Sequence, residues 1–445
     1  MLRKKRTTSV MALIMIIGLL LTGCKGKYSF YQQTNQEEDK LIKIIFWDDN
    51  TGPQRTPIWD ELITRFEKEH PTIDVVYVGL PKDSAKAMFD AAIASGEMPD
   101  VASVYASWLP EFSMRDALMP LDTNFSKWSE KEKINKAAIE FNKRIVHNQK
   151  LYGIPYTQNL DILWVRSDWF KEANLNTPDT WDDFFQSVER LTDKMNNRYG
   201  YSIRGGAGGS FQLQRMMYTY SGIETYFKDG KSTINDPKHV EFLKKYFALY
   251  QTYTPISDIT NDYKAMIAGF DSGKIAMVQH NIGSFAEHSE ALNPGQFQAI
   301  PLPKSIKGHY VAEDGNTIGL SMFKGTEHPE ETWKFITFIN SQWAQSFWNQ
   351  RVGQIPTYTD VFDEEWVKTS PHIQTALKVY NDSNTILFQP PFYLTGYRTI
   401  LNTIVDTGTQ SVLSGKITVE EFLDNWAEAM EEAERQYDES LANLR

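Results

Sequence analysis

The chain has 445 residues, with 46 Lys and Arg against 57 Asp and Glu, a formal net charge of −11. A surface of that sign repels nucleic acid and anionic lipid. The single cysteine excludes an internal disulfide, and the length predicts two or three domain-sized units.

The start is distinct from the rest. Arg3, Lys4, Lys5 and Arg6 precede an uncharged run from Val10 to Leu21, which leads into Leu21-Thr22-Gly23-Cys24. The run is well short of the roughly 20 residues needed to span a bilayer as a helix. A basic flank, a short apolar core and small residues at the cut predict a secretory signal over residues 1–23. The last four residues resemble a bacterial lipobox, which implies lipidation at Cys24. Removing the four positive charges lowers the formal −11 to about −15. No second apolar run approaches membrane length, so the lipid is the expected membrane attachment. Residues 24–40 are polar, lack apolar periodicity and predict a flexible tether.

Folded structure is predicted to begin at Leu41 with a β-rich run to Trp47, ended by Asp48-Asp49-Asn50-Thr51-Gly52. A helix follows from Pro57 to Glu69, with Ile58, Trp59, Leu62, Ile63 and Phe66 on one stripe and Pro57 in its first turn. Next come a strand from Ile73 to Val78, a helix from Ser84 to Ile93 and a strand from Asp100 to Tyr105. This alternation predicts parallel pairing with right-handed crossovers, and ligands beyond the carboxyl ends of the strands. Asp49 and Asn50 lie at one such end, Tyr105 and Trp108 at another, so the two groups are expected to meet.

Glu130 to His147 reads as helical. The segment 149–156 reads as a hairpin tip entering a strand that continues over Ile162–Val165. Thr180 is an N-cap, with Asp182 and Asp183 at the positive end of the following helix. Residues 204–210 form a glycine loop without the P-loop or dinucleotide pattern, which predicts a plain mobile loop rather than a phosphate cradle. The helix after it places Phe211, Gln212 and Arg215 to face a cleft. Helices are predicted from Pro237 and Tyr263, a buried strand before Gln279-His280-Asn281, an extended run at 297–303 and a strand at Ile318–Met322. Two more helices, Glu330–Asn340 and Gln342–Asn349, precede a largely helical remainder broken at Gln389-Pro390-Pro391. An amphipathic helix runs from Val419.

Taken together, several motifs resemble the sugar-binding lipoproteins of bacterial ABC importers, the maltose-binding-protein-like group of extracellular solute-binding proteins. They are Phe46-Trp47-Asp48, Phe66-Glu67-Lys68-Glu69-His70-Pro71, Ser95-Gly96-Glu97-Met98-Pro99-Asp100-Val101, Tyr152-Gly153-Ile154-Pro155-Tyr156, the run from Pro178 to Phe184, the run from Phe270 to Met277, and the run from Glu330 to Ile336. The resemblance covers the chain from about Leu41 to its end. It implies an α/β, two-lobe, periplasmic-binding-protein-like fold with the ligand cleft between lobes joined by crossover hinge segments. By that analogy lobe one is 41–155 with 304–340 and lobe two is 156–303 with 341–445. Hinges are then expected near Pro155, Pro303 and Asn340.

The same resemblance places the ligand on Asp49, Asn50, Tyr105, Trp108, Tyr156, Gln158, Asn159, His280, Asn281, Asp314 and Asn316, with Gln354, Phe392 and Tyr393 as later candidates. Many members of the group carry a tryptophan after the strand ending in Ala276-Met277. This chain has Gln279-His280-Asn281 there, so Phe285 or Phe211 is the expected substitute. A sugar presents hydroxyls and apolar C–H faces, and a selective site needs polar partners and rings for both. Trp108 and Tyr156 read equally as stacking platforms or as packed core, whereas Trp47, inside an apolar strand, reads as core. His280 has no second histidine at ligand spacing, and no metal or other cofactor is expected.

The resemblance also implies a permease with membrane subunits and a cytoplasmic ATPase, served by a monomer. Catalysis is not expected. Asp48 and Asp49 would point to opposite faces of a continuing strand, and Asp182-Asp183 sits where helix electrostatics favours carboxylates. Neither pair matches the spaced carboxyls that glycoside hydrolysis requires. Other ligands on the same fold remain open. A polyamine would suit an acidic, aromatic cleft, and an anion would call on Arg55, Arg204, Arg215 and Arg398.

Overall fold

The computed structural model describes residues 41–443 except Asp83. The signal segment, Cys24 and the tether lie outside the described residues.

Thirteen strands follow in chain order. They are β1 (Ile42–Asp48), β2 (Ile73–Gly79), β3 (Val101–Tyr105), β4 (Ile154–Gln158), β5 (Asp161–Val165), β6 (Phe227–Lys228), β7 (Lys231–Ser232), β8 (Met277–Asn281), β9 (Gln298–Ile300), β10 (Val311–Glu313), β11 (Thr317–Met322), β12 (Ile355–Pro356) and β13 (Ile386–Phe388). The first lobe is built on a six-stranded sheet in the order β12-β4-β11-β3-β1-β2. In it β1 pairs parallel with β2 and β3, as the strand–helix alternation predicts. The second lobe is built on β8-β5-β9, all antiparallel, beside a parallel β10–β13 pair.

Local sequence explains the first lobe's outer layer. The helix Thr56–Glu69 carries Pro57 in its first turn and buries Ile58, Trp59, Leu62, Ile63 and Phe66. Trp59 meets Phe46 of β1 at 4.7 Å between ring centroids, and Phe66 meets Phe335 at 5.1 Å. Each such side chain contributes roughly 1.5–3 kcal/mol when fully buried. In the second lobe Thr180 and Asp183 form a reciprocal capping box at the start of the helix Trp181–Arg190.

The buried side chains fall into two clusters, and each continues from one lobe into the other. One runs from Phe89, Trp108 and Phe112 to Tyr397, Phe422 and Trp426. The other runs from Phe46, Trp59 and Trp348 to Trp164 and Val278.

Three sequence expectations change. Residues 149–156 form no hairpin tip, because β4 pairs with the distant β11 and β12. The chain passes between sheets not at Pro155, which is held inside β4 opposite Gly319, but at Asn159–Leu160, between β4 and β5. It returns not at Pro303 but at 314–316, between β10 and β11. The two passages are tied by the Asn159 amide donating to the Asn316 carbonyl at 2.8 Å. Gly315 has φ +71°, and a Cβ there would collide with the Phe141 ring, so this passage requires glycine.

The segment after Asn340 also stays with the first sheet rather than crossing. Trp348, on the helix Gln342–Val352, packs on Trp59 at 4.5 Å and on Tyr156 at 5.6 Å, and β12 pairs with β4. The third passage therefore follows β12, before the helix Pro371–Asn381, which packs on β9 and β10.

Candidate ligand site

The carboxyl ends of β1, β2 and β3 meet the second lobe. Alternation along β1 buries Ile44, Phe46 and Asp48 on one face. Asp48 accepts from the Tyr77 hydroxyl of β2 at 3.0 Å. The strand ends there, which lets Asp49 turn the other way and accept from Ser103 of β3 at 2.5 Å. Its second oxygen is buried with no hydrogen-bond partner among the described residues. Burial, then the Asp49 charge, push the Asp48 carboxyl up to about 7. Burial also raises Asp49, with Ser103, Arg55 and Lys82 acting against it.

Lys82 follows β2 and reaches the second lobe, its Nζ lying 4.6 Å from the centroid of the Tyr263 ring. Burial, then repulsion from Arg55 and Arg204, lower its ammonium to about 8. Arg204 lies 5.7 Å from the same ring, and His280 stacks on that ring at 5.6 Å and 1°. His280 Nδ1 bonds the Ser284 hydroxyl, and burial together with Lys82 holds this imidazole well below its ordinary value.

A second contact between lobes lies beyond β3. Trp108 and Phe211 lie beside the Arg398 guanidinium, which is 5.6 and 5.4 Å from their ring centroids. With Phe392, Tyr397, Lys86 and Glu111 they line a narrow recess. A smaller recess lies at the strand passages, lined by Asn159, Arg215, Glu313, Asn316 and Tyr380 among others.

The structure thus brings together Asp49, Tyr105, Trp108, Phe211 and Phe392 near one lobe junction. It places Asn159, Asn316 and Arg215 at the passages, and His280 across from Lys82. Asn50 lies at the β1 end beside Asp48, its amide 3.4 Å from that carboxylate. Gln158 closes β4 and faces β11 and β12.

Other candidates have structural employment. Tyr156 is 1% exposed, between Trp59 and Trp348, with its hydroxyl on Ser103. Gln354 is equally buried and bonds Thr157, Trp348 and Asn159. Asn281 receives the Gly283 amide, Asp314 pairs with Arg144 at 2.6 Å, and the Tyr393 hydroxyl donates to Glu434 on the C-terminal helix. Phe285 stacks on His372 at 3.9 Å, which leaves Phe211 as the ring facing the recess.

The glycine loop is packed rather than mobile. The Gly205 and Gly206 amides donate to the Asp258 and Asn261 carbonyls, and a Cβ on Gly206 would strike the Thr260 carbonyl. The helix start beyond it is closed to phosphate, because the Asp406 carboxylate already accepts the Gly208 and Ser210 amides.

Lys82 and Tyr263 were not read from the sequence. Lys82 carried a usable signal, since it sits at the carboxyl end of β2 as Asp49 and Tyr105 do at theirs. Among the described residues no group of three or more His, Cys, Asp or Glu is placed to hold a metal ion, and no helix is long and apolar enough to cross a membrane.

A family profile for bacterial extracellular solute-binding proteins matches residues 52–346. The chain belongs to that family. A multiple sugar-binding protein of Streptococcus mutans is 23% identical over 359 residues, covering 74% of this chain and 78% of the relative. The sn-glycerol-3-phosphate-binding periplasmic protein UgpB of Shigella dysenteriae is 22% identical over 431 residues, covering 90% and 94%. Among solved structures, an ABC-transporter solute-binding protein of Thermotoga lettingae bound with α-D-tagatose superposes with a TM-score of 0.77 at 22% identity, covering 88% of this chain and 99% of that one.

Proposed function

We propose that the protein captures a carbohydrate, an oligosaccharide in the first instance, between its two lobes and delivers it to an ABC importer. The observation that carries this reading is the recess where Trp108 of the first lobe faces Phe211, Phe392 and Tyr397 of the second, with Lys86, Glu111 and Arg398 at its wall. Rings for the C–H faces and polar groups for the hydroxyls are what a sugar site needs. The sugar-binding relatives support the same class.

In this reading the sugar favours closure because it touches both lobes only when they meet, and its differential affinity sets how far closure goes. The closed form docks on permease subunits energised by a cytoplasmic ATPase. A lipid on Cys24 holds the monomer at the outer face of the membrane. The cations Arg55 and Arg204 near Lys82 weigh against a polyamine. Hydrolysis is disfavoured because Asp48 and Asp49 are adjacent and Asp183 is engaged in its capping box.

The test is thermal unfolding of the purified full-length protein in mild detergent, with a panel of mono- and oligosaccharides and polyamines. A ligand at a hundred times its Kd stabilises by about 2.7 kcal/mol. A raised midpoint with sugar recovered intact supports the reading. A shift with polyamine alone overturns the ligand class, and recovery of cleaved sugar overturns the transport role.

A further inference from the structure

Three cations approach one another at the lobe junction, and among the described residues no carboxylate is in ion-pair contact with them. Lys82 comes from the loop after β2 and Arg55 from the turn before the helix Thr56–Glu69, while Arg204 enters from the other lobe. Lys82 Nζ and Arg204 Cζ stand 4.6 and 5.7 Å from the centroid of one ring, Tyr263, and Arg204 is near enough to act on the Lys82 charge. Among the described residues none of the three is in a salt bridge, and the Arg204 Nε and Nη2 donate instead to the Ala207 carbonyl at 2.9 and 2.5 Å. This is unlike Arg215, which is held by Asp161 and Glu313 at 2.8 and 2.6 Å.

The acids around them are committed or weakened. Asp406 is spent on the Gly208 and Ser210 amides, and Asp262 caps the helix Tyr263–Asp271 through the Ala265 amide. Burial shifts Asp48, Asp49 and Glu287 toward their neutral forms. Like charges brought together without a counter-ion oppose closure of the lobes. An anionic group seated among them converts that repulsion into two or three charge-assisted contacts.

Asp49 supplies the second half of the argument. It is 1% exposed, and its buried second oxygen has no partner. A sugar hydroxyl suits that oxygen in either state, since it can donate to a carboxylate or accept from a carboxyl. The junction therefore asks for one molecule with a hydroxyl for Asp49 and an anionic group for the cations.

We propose that the ligand is an acidic carbohydrate, a sugar or polyol bearing a carboxylate or a phosphate, with its anionic group held by Lys82 and Arg204 from opposite lobes, Arg55 beside them, and a hydroxyl on Asp49. The proposal rests on the carbohydrate reading above and sharpens it. It also gives closure a cause, since the anion bridges Lys82 and Arg204 only when the lobes are together.

The test titrates the purified full-length protein calorimetrically with neutral oligosaccharides, a uronic-acid disaccharide, a hexose phosphate, glycerol 3-phosphate and inorganic phosphate. The expected result is that one acidic carbohydrate binds at least ten-fold tighter than its neutral counterpart, and that this preference shrinks as salt rises. The uronate and phosphate arms tell the two anions apart. Lys82→Met and Arg204→Met should each cut the acid-over-neutral ratio by ten-fold or more. A neutral sugar bound as tightly as its acid, with a ratio unmoved by either substitution, overturns the proposal and leaves the carbohydrate reading standing. Inorganic phosphate matching every sugar acid overturns the requirement for a polyol. Failure of all carbohydrates, neutral and acidic, overturns both.

Discussion

Arg215 donates from Nε to Glu313 at 2.6 Å and pairs through Nη1 with Asp161 at 2.8 Å, so one guanidinium ties the start of β5 to the end of β10. These strand ends flank the two passages between lobes. Burial disfavours the charged arginine, but the two carboxylates outweigh it and hold the guanidinium protonated. Arg215→Met leaves Asp161 and Glu313 buried beside each other without a counter-charge. Breaking such a group by removing one partner costs about 3–5 kcal/mol. Denaturant unfolding should show that loss, and Glu313→Gln in the same chain should recover part of it. An unchanged unfolding midpoint with lost ligand affinity would instead make Arg215 a ligand contact.

Asp406 makes a comparable long-range tie. Its carboxylate accepts the Ser210 amide at 2.7 Å and the Gly208 amide at 3.1 Å, capping the helix Gly209–Ser221 from nearly two hundred residues away. Asp406→Ala should cost about 0.5–2 kcal/mol, the usual range for a lost N-cap. Asp406→Asn, which keeps an acceptor oxygen, should lose less. Equal losses in the two variants would show that packing, not capping, is what the side chain provides.

These ties also show what was legible in the sequence. The juxtaposition of Asp49 with β3 followed from parallel topology, because strand–helix–strand spacing alone fixes which strand ends are neighbours. The first passage lies a few residues beyond Pro155, and the other two lie more than ten residues beyond Pro303 and Asn340. Proline signals local stiffness, whereas the sheet a strand joins is decided by its partner; Pro155 sits in β4 because Gly319 of β11 lies opposite. The family resemblance places Tyr156 and Gln354 among the ligand candidates. The burial of Tyr156 against Trp348 depends on a helix nearly two hundred residues away, whereas Gln354 directly follows that helix and bonds the Trp348 ring nitrogen.

Asp48 predicts a pH signature. Its carboxyl titrates near 3.8 when unperturbed and at about 7 in the folded protein, raised by burial first and then by Asp49. The folded state therefore binds this proton more tightly than the unfolded state. The group's contribution is fully present below pH 3.8, falls as pH rises, and is lost above about pH 7. A shift of about three units corresponds to roughly 4 kcal/mol. Asp48→Asn keeps an acceptor for the Tyr77 hydroxyl and removes the titration. The variant should match the parent near pH 4 and exceed it in unfolding free energy at pH 8. Parallel stability curves from pH 4 to 8 would overturn this assignment.

Trp108 and Phe211 both lie beside the Arg398 guanidinium, yet they should answer differently to truncation. Trp108 is 3% exposed and packs on Phe89, Phe112 and Tyr105 at 5.7, 6.0 and 5.0 Å. Trp108→Ala removes a core side chain and should cost about 3–5 kcal/mol of stability. Phe211 is half-buried and opens onto the recess. Phe211→Ala should leave the unfolding midpoint nearly unchanged and weaken a stacked sugar by about 0.5–1.5 kcal/mol, the contribution typical of a ring contact beyond its buried area. Calorimetric titration beside thermal unfolding of both variants separates the roles. Should Phe211→Ala destabilise as much as Trp108→Ala while binding is unaltered, both rings belong to the core and the ligand stacks elsewhere along the junction.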